Sequence, residues 1–314
     1  MKLNPGIWIQ YSHLFEAYLA LNRLDEAKAV AQEAEARHLD CPCLHEDIYV
    51  ADFLRHDTAG MEREASGLMG KPGYEDMMLY VESKTAAFAG QFAKARELTR
   101  RAVESAQRAD KKETAADYEA GAAVWEALAG NTALPKQQVQ TALALPKGKD
   151  VEAISAIALG WAVDSVQAKR LADDLSQRFP EDTVVQFNYL PTIHAAVALR
   201  SGDPGRALDA LVAASPYELG SNLYPIYVRG AAYLAGRQGT AAAAEFQKII
   251  DHPGIVQNDP IGALAHLQLG RAYAMAGDTA KAKASYQEFL TLWKNADSDI
   301  PILKQAKAEY AKLQ

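Results

Sequence analysis

Residues 230–246, GAAYLAGRQGTAAAAEF, and residues 270–286, GRAYAMAGDTAKAKASY, decide the fold of this 314-residue chain. Both stretches place a glycine, a tyrosine, an alanine and an aromatic residue at spacings of 3, 9 and 4 residues. The four columns are Gly230, Tyr233, Ala242 and Phe246, then Gly270, Tyr273, Ala282 and Tyr286. Small residues in the first and third columns let two helices approach closely. We expect the aromatic second and fourth columns to fill the space between neighbouring units.

The same order of helix, short turn and alanine-rich helix recurs along the whole chain. The turn residues are Asn22, His56, Gly90, Gly130, Val163, Gly202, Arg237 and Gly277. Successive differences between them are 34, 34, 40, 33, 39, 35 and 40 residues. A helix-turn-helix unit with a period of 34 is the tetratricopeptide repeat (TPR), and the longer intervals indicate a few extra loop residues.

The sequence therefore predicts an all-α protein, an α-α superhelix (TPR solenoid) of about eight repeats, with residues 1–314 as a single array. The predicted repeats are 8–41, 42–73, 76–109, 116–148, 149–181, 188–220, 223–255 and 263–296, with a capping helix at 300–313. In the capping helix Leu303 and Ala306 share one stripe with Tyr310 and Leu313, and lysines lie off it. A repeat array needs such a polar-backed element over its last apolar face.

Two of the repeats depart from the column pattern. Asp52 and Glu126 stand in the second column, which is usually apolar, and Pro135 stands where a small residue is expected. At the other end of the chain, Pro5 precedes the first repeat as Pro180 follows the fifth. We interpret this as the closing proline of a preceding repeat, so that the chain is a fragment of a longer polypeptide.

Composition narrows the classes of function. Alanine, the best helix former, makes up nearly one residue in five. The formal net charge is −7, without a basic block, which argues against nucleic-acid binding by this chain. The longest apolar run is about ten residues, whereas a membrane-spanning helix needs about 20. We therefore expect no membrane insertion by this chain.

We expect no catalysis and no cofactor. The P-loop, Rossmann, zinc-protease, nucleophile-elbow and kinase motifs are missing. The segment HLDCPCLH contains His38, Cys41, Cys43 and His45, which are suitable zinc ligands. Their spacing is tighter than in ordinary structural zinc sites, so we expect a plain connector there. With one residue between them, Cys41 and Cys43 are not expected to form a disulfide bond.

TPR arrays bind ligands on the concave surface, which is built from the first helix of each repeat. Unit positions 2, 5, 9 and 12 of repeats six to eight, with their neighbours, predict a groove for an extended peptide or a partner helix. Its residues are Asn188, Tyr189, Thr192, Tyr224, Tyr227, Leu234 and Arg271, with His194 nearby. The alternative is that several of these tyrosines only pack between repeats. The carboxylate clamp for chaperone tails is disfavoured, because Ser12 and Glu16 replace its Lys and Asn.

The stretch from Arg178 to Gln314 carries a family resemblance. It includes RFPEDTVVQFNYLPTIHAAVALRSGDPGRALDAL (178–211) and PYELGSNLYPIYVRG (216–230), and it resembles the C-terminal TPR region of acidobacterial serine/threonine protein kinases. In that family a kinase domain precedes the repeats, commonly with a membrane segment between. Related arrays follow winged-helix DNA-binding domains.

The resemblance implies a non-catalytic scaffold or sensor that binds a protein or peptide and regulates an attached bacterial kinase. Two alternatives remain: the effector region of a winged-helix transcriptional regulator, and a free-standing ligand-binding TPR protein. The sequence leaves open the ligand, the cellular location, the oligomeric state and any role of the cysteines.

Overall fold

The turns between paired helices follow the predicted positions. In the computed structural model, which describes residues 7–39, 41–162, 164–220 and 223–314, seven of the eight predicted turn residues have a positive φ angle. These are Asn22, His56, Gly90, Gly130, Gly202, Arg237 and Gly277, while Val163 lies outside the described residues. A residue in this conformation ends a helix, because the N–H of the next residue can then donate to a carbonyl of the last helical turn. After Gly277, for example, Asp278 N donates to Tyr273 O (2.9 Å).

All regular secondary structure among the described residues is helical. Eight antiparallel helix pairs follow one another as a TPR-like solenoid. The helices are α1 (Trp8–Ala20), α2 (Leu24–Ala36), α3 (Pro42–Leu54), α4 (Thr58–Leu68), α5 (Glu75–Phe88), α6 (Phe92–Arg108), α7 (Lys112–Leu128), α8 (Ala133–Ala144), α9 (Lys149–Ala162), α10 (Ser165–Arg178), α11 (Leu190–Arg200), α12 (Pro204–Leu211), α13 (Tyr224–Ala235), α14 (Gly239–Asp251), α15 (Pro253–Val256), α16 (Pro260–Met275), α17 (Thr279–Leu292) and α18 (Pro301–Ala311). Pairs one to seven are α1–α2 through α13–α14 in order, and pair eight is α16–α17. A π-helical turn, Val185–Tyr189, leads into α11, and a 3₁₀ turn, Val212–Ala214, extends α12. The predicted all-α solenoid is confirmed.

The repeat columns form the contacts within each pair. A Cβ atom on Gly230 would lie 2.6 Å from the ring of Phe246, and one on Gly270 would lie 2.9 Å from the ring of Tyr286. The fourth-column ring therefore lies directly on the first-column glycine of its own pair. This differs from the predicted position between neighbouring units, because a glycine leaves enough room for a ring inside the pair.

The second-column acid Glu126 and the proline Pro135 have local explanations. Glu126 is buried and accepts hydrogen bonds from Arg96 of the preceding pair (2.6 Å and 3.0 Å) and from Asn131. Pro135 lies in the first turn of α8, where a missing backbone N–H leaves no helical hydrogen bond unmade. Asp52, the other second-column acid, is treated below.

The array closes back on itself through its C-terminal elements. Asn258 donates to Val81 O and to Thr85 Oγ1 (both 2.9 Å), and the Trp293 indole donates to Phe88 O (2.9 Å). All three acceptors belong to α5 of pair three.

The connection into α18 makes further contacts of this kind. Asp297 accepts from Ala93 N (2.7 Å) and donates its own N–H to Gly90 O (3.1 Å), and Ile302 N donates to Ala129 O (3.1 Å). The C-terminal end of the solenoid thus lies against the turns of pairs three and four. One large core extends from Leu79 to Ala306, and a second fills pairs one and two.

Helix α18 covers the end of pair eight with a polar-backed face. Leu303 and Ala306 are buried, Tyr310 is partly buried, and Lys304 and Lys307 are exposed. Among the described residues, none of the helices combines the length and the apolar character needed to cross a membrane.

Candidate protein-binding site

The seven residues predicted to line a peptide groove lie largely inside the molecule. They are Asn188, Tyr189, Thr192, Tyr224, Tyr227, Leu234 and Arg271. Four are buried, Thr192 and Tyr227 completely so (0 % exposed), and the other three are partly buried. The closure of the array, together with packing between pairs, covers this part of the concave face. A role for these residues in binding stays a prediction.

Hydrogen bonds within the protein occupy several of these groups. Tyr189 donates its hydroxyl proton to Asp150 (2.9 Å), and Gln268 donates to the Tyr227 oxygen (3.0 Å). The buried side-chain amide of Asn188 has no hydrogen-bond partner among the described residues. Tyr189, which precedes α11, and Tyr227 of pair seven therefore join neighbouring helix pairs.

Arg271 and Tyr227 share a small cavity. The Arg271 guanidinium is held by both oxygens of Glu309 on α18 (2.8 Å and 2.9 Å). The cavity has a volume of about 250 Å³, and Trp161 and Gln268 also line it. It is smaller than the pockets that hold drug-sized ligands, which start at about 300 Å³.

A second set of polar side chains lies on the first helices of pairs two to four and on α16. We call Glu46 and Asp47 of α3, Asp117 of α7 and Asp259, the residue that precedes α16, the acidic lining. All four are partly exposed. Lys84 of α5 is the cation whose charge acts on Glu46, Asp117 and Asp259 together, so these groups converge on one region of the concave face.

Ionisation of the carboxyl groups in the acidic lining is disfavoured, and their pKa values are raised. Burial, followed by the neighbouring Glu16 and Glu46 carboxylates, raises the pKa of Asp47 to about 8. Burial, followed by the Asp150 carboxylate, raises the pKa of Asp117 to about 6. Burial also raises the pKa of Glu46 and of Asp259, and Lys84 offsets part of both shifts. A cation brought into this region would therefore stabilise the charged carboxylates.

Glu46, Asp117 and Lys84 are the members of this region without a direct partner. None of the three makes a hydrogen bond or an ion pair within 4.0 Å among the described residues. By contrast, Asp47 accepts a hydrogen bond from Ser12 (3.1 Å), and Asp259 accepts one from Tyr224 (3.2 Å).

A paired carboxylate and two tyrosines form one wall beside the acidic lining. Asp76 is completely buried and accepts hydrogen bonds from Lys111 (2.6 Å) and from the Tyr118 hydroxyl (3.1 Å). The Tyr80 ring stacks on Tyr118 with a centroid distance of 4.1 Å. Tyr80 also stacks on the buried Trp125 (5.4 Å), so this wall is a packed aromatic cluster beside the acidic lining.

The groove prediction did not include Glu46, Asp47 or Asp117, although a signal for two of them was present. Glu46 stands at position 5 of the second predicted repeat, and Asp117 at position 2 of the fourth. The same positional rule, applied to all repeats and not only to the last three, identifies both. Asp259 precedes the last predicted repeat, so only the folded chain brings it near them.

The segment 38–45 differs from the expectation in one respect. Cys41 and Cys43 are joined by a disulfide bond, so the expectation that they remain unbridged is wrong. Extended backbone at Cys41, followed by the first turn of α3, places the two Cα atoms 5.4 Å apart, inside the range that a disulfide requires.

No zinc-like cluster forms in this segment. His45 Nδ1 lies 2.7 Å from Glu64 Oε2 and not beside the cysteines. Within the described ranges, no group of three or more His, Cys, Asp or Glu side chains is arranged to hold a metal ion.

Comparison with known proteins adds little to the geometry. No protein-family model matches the chain, and no curated protein sequence matches it. Among solved structures, yeast Tom70 is similar over 98 % of this chain and 88 % of that chain, with 13 % identity and a TM-score of 0.35. A similarity this weak has no bearing on function.

Proposed function

We propose that this chain is a non-catalytic interaction scaffold that binds a protein or peptide segment carrying lysine or arginine. The observation that carries the proposal is the acidic lining, where Glu46 and Asp117 are partly buried without a direct partner. TPR-like solenoids present ligands with the first helices of their repeats, and the acidic lining belongs mainly to those helices.

The physical basis is the free energy of the unpaired carboxylates. In the free protein the raised pKa values of Glu46 and Asp117 show that their ionised forms are disfavoured. A basic side chain of a ligand would supply charge-assisted hydrogen bonds, each worth about 1.5 to 3 kcal/mol. Lys84 offers only partial compensation, because it makes no direct ion pair with either carboxylate.

Peptide binding followed by fluorescence anisotropy tests this proposal. The probe is a labelled serine- and alanine-based peptide with a central Lys-Arg pair, compared with the same peptide carrying Glu-Glu. We expect the basic peptide to bind more tightly, and the double variant Glu46→Gln, Asp117→Asn to lose about tenfold in affinity. Glu104→Gln, on the exposed face of α6, is the matched control.

Two outcomes of these measurements would contradict the proposal. Equal affinity for the basic and the acidic peptide, or unchanged affinity in the double variant, contradicts the proposal. Lys84→Met tests the same region in the opposite direction, since removal of the internal cation should strengthen binding of the basic peptide.

The resemblance of residues 178–314 to TPR regions of acidobacterial kinases supports a finer proposal. On that basis the scaffold is the regulatory or sensor region of a bacterial serine/threonine protein kinase. The alternatives are the effector region of a winged-helix regulator and a free-standing ligand-binding protein. Reading the gene upstream of the Met1 codon separates them: an in-frame kinase domain supports the first, a winged-helix domain the second, and a stop codon the third.

A further inference from the structure

A cleft separates helix pairs one and two. Its volume is about 720 Å³, within the range of pockets that hold small organic ligands. Phe15, Ala31, Leu44 and Ile48 provide apolar lining, and Asp52 and Glu64 provide carboxylates. The cleft lies between α2 on one side and α3 and α4 on the other. It is thus distinct from the acidic lining.

The cleft lies where the repeat columns differ from those of pair eight. Pair eight has Gly270 in the first column, and Tyr273 and Tyr286 in the second and fourth. Pair one instead has a ring in the first column, Phe15, and a methyl group in the fourth, Ala31. Pair two has Asp52 in the second column. Phe15, Ala31 and Asp52 all line the cleft.

Asp52 is a carboxylate without a hydrogen-bond donor. Its side chain is 13 % exposed, its Oδ2 atom is buried, and neither oxygen accepts a hydrogen bond from the described residues. Gly60 makes room for it, since a Cβ atom there would overlap the carboxylate. Burial, followed by the Asp57 and Glu64 carboxylates, raises the pKa of Asp52.

One cation of the protein approaches this carboxylate but stays outside hydrogen-bond distance. The Arg63 guanidinium lies 4.0 Å from Asp52 Oδ2 and 3.6 Å from Glu64 Oε1. Its side chain is 68 % exposed, so it extends across the cleft from solvent. Arg55, also in the cleft wall, is engaged with Asp25 (2.7 Å). Glu64 has His45 Nδ1 at 2.7 Å from its Oε2 atom, so Asp52 is the carboxylate of the cleft that has no positive group in full contact.

We propose that the cleft between helix pairs one and two binds an organic cation, an ammonium or guanidinium group on an apolar stem. The charged group contacts Asp52, the nearby Glu64 carboxylate adds its negative charge, and the stem packs on Phe15, Leu44 and Ile48. Arg63 competes for the same carboxylates and moves aside when the ligand enters. A free amine and the basic side chain of a peptide share this chemistry.

Isothermal titration calorimetry with phenethylammonium tests the proposal, with 2-phenylethanol and phenylacetate as neutral and anionic counterparts of similar shape. We expect phenethylammonium to bind, and the other two to bind at least tenfold more weakly. Asp52→Asn should weaken phenethylammonium binding about tenfold, and Arg63→Gln should strengthen it about threefold. Glu62→Gln, exposed on α4 outside the cleft, should leave the affinity unchanged.

A variant that changes the volume of the cleft, and not its charge, provides a second test. Ala31→Phe places a ring in the apolar half of the cleft, and it should abolish binding in a variant shown to be folded by circular dichroism. The proposal is overturned if phenethylammonium shows no saturable binding at millimolar concentration, if 2-phenylethanol binds equally well, or if Asp52→Asn, shown to be folded by circular dichroism, keeps full affinity. Tighter binding of a Lys-Arg peptide than of phenethylammonium would identify a peptide side chain as the source of the cation.

Discussion

Helix pairs four and two each have an acid in the second column, where pairs seven and eight have tyrosine. In pair four, Glu126 is almost fully buried, and both of its oxygens are paired with Arg96 and Asn131. In pair two, Asp52 receives no hydrogen bond and faces a cleft. The same departure from the repeat pattern is therefore a hydrogen-bonded ion pair in one place and a carboxylate without a hydrogen bond in the other.

The preceding helix pair explains the difference. Arg96 belongs to α6 of pair three and reaches Glu126 across the junction with pair four. The corresponding junction before pair two has α2, where Ala31 lines the cleft and Lys28 stays exposed. The preceding second helix thus supplies a guanidinium to the acid of pair four, whereas α2 supplies none to Asp52.

The largest change in stability should come from breaking the ion pair between Glu126 and Arg96. Glu126→Ala leaves Arg96 without its partner and opens a void, so we expect the free energy of unfolding to fall by about 3 kcal/mol. Urea denaturation measures this loss. A double-mutant cycle with Arg96→Ala should show coupling between the two residues, and purely additive losses would contradict a direct ion pair.

A smaller effect of opposite sign is expected in pair two. Asp52→Leu replaces an unpaired carboxylate with an apolar side chain of similar shape, so we expect the free energy of unfolding to rise by about 1 kcal/mol. The same urea experiment checks it. A clear loss of stability would mean that Asp52 has a structural partner after all.

The smallest effect concerns pH. The pKa of Asp52 is raised in the folded protein, as are those of Asp47, to about 8, and Asp117, to about 6. Such groups bind more protons when folded than when unfolded, so their own contribution to stability is greatest at low pH and falls as the pH rises between about 4 and 8. Asp52→Asn should show a shallower fall in urea denaturation at pH 5 and pH 8, and a fall equal to that of the parent protein would argue against titration of Asp52.

The fold could be predicted from local features, since the turn residues and the glycine and aromatic columns act within one helix pair. Gly230 and Phe246, for example, are in direct contact. The closure of the array could not be predicted in this way. It depends on contacts such as Asn258 to Val81, between residues far apart in the chain, and no periodic pattern encodes them.

The candidate sites, like the fold, combine features that the sequence shows with contacts that only the folded chain shows. The repeat positions of Tyr189 and Tyr227 predict a groove, but position alone does not show that neighbouring helices bury both side chains. Asp52 was recognised in the sequence as an exception to the pattern. That it faces a cleft follows from Ala31 in the neighbouring pair, which is visible only when the two pairs are considered together.

One binding experiment tests whether Asp52 forms a cation-binding site and Glu126 does not. Phenethylammonium is titrated by calorimetry into Asp52→Asn and into Glu126→Gln, each shown to be folded. We expect a loss of about tenfold in affinity for Asp52→Asn and no change for Glu126→Gln. Equal affinities of the two variants would contradict the claim that the unpaired acid, and not the paired one, forms a binding site.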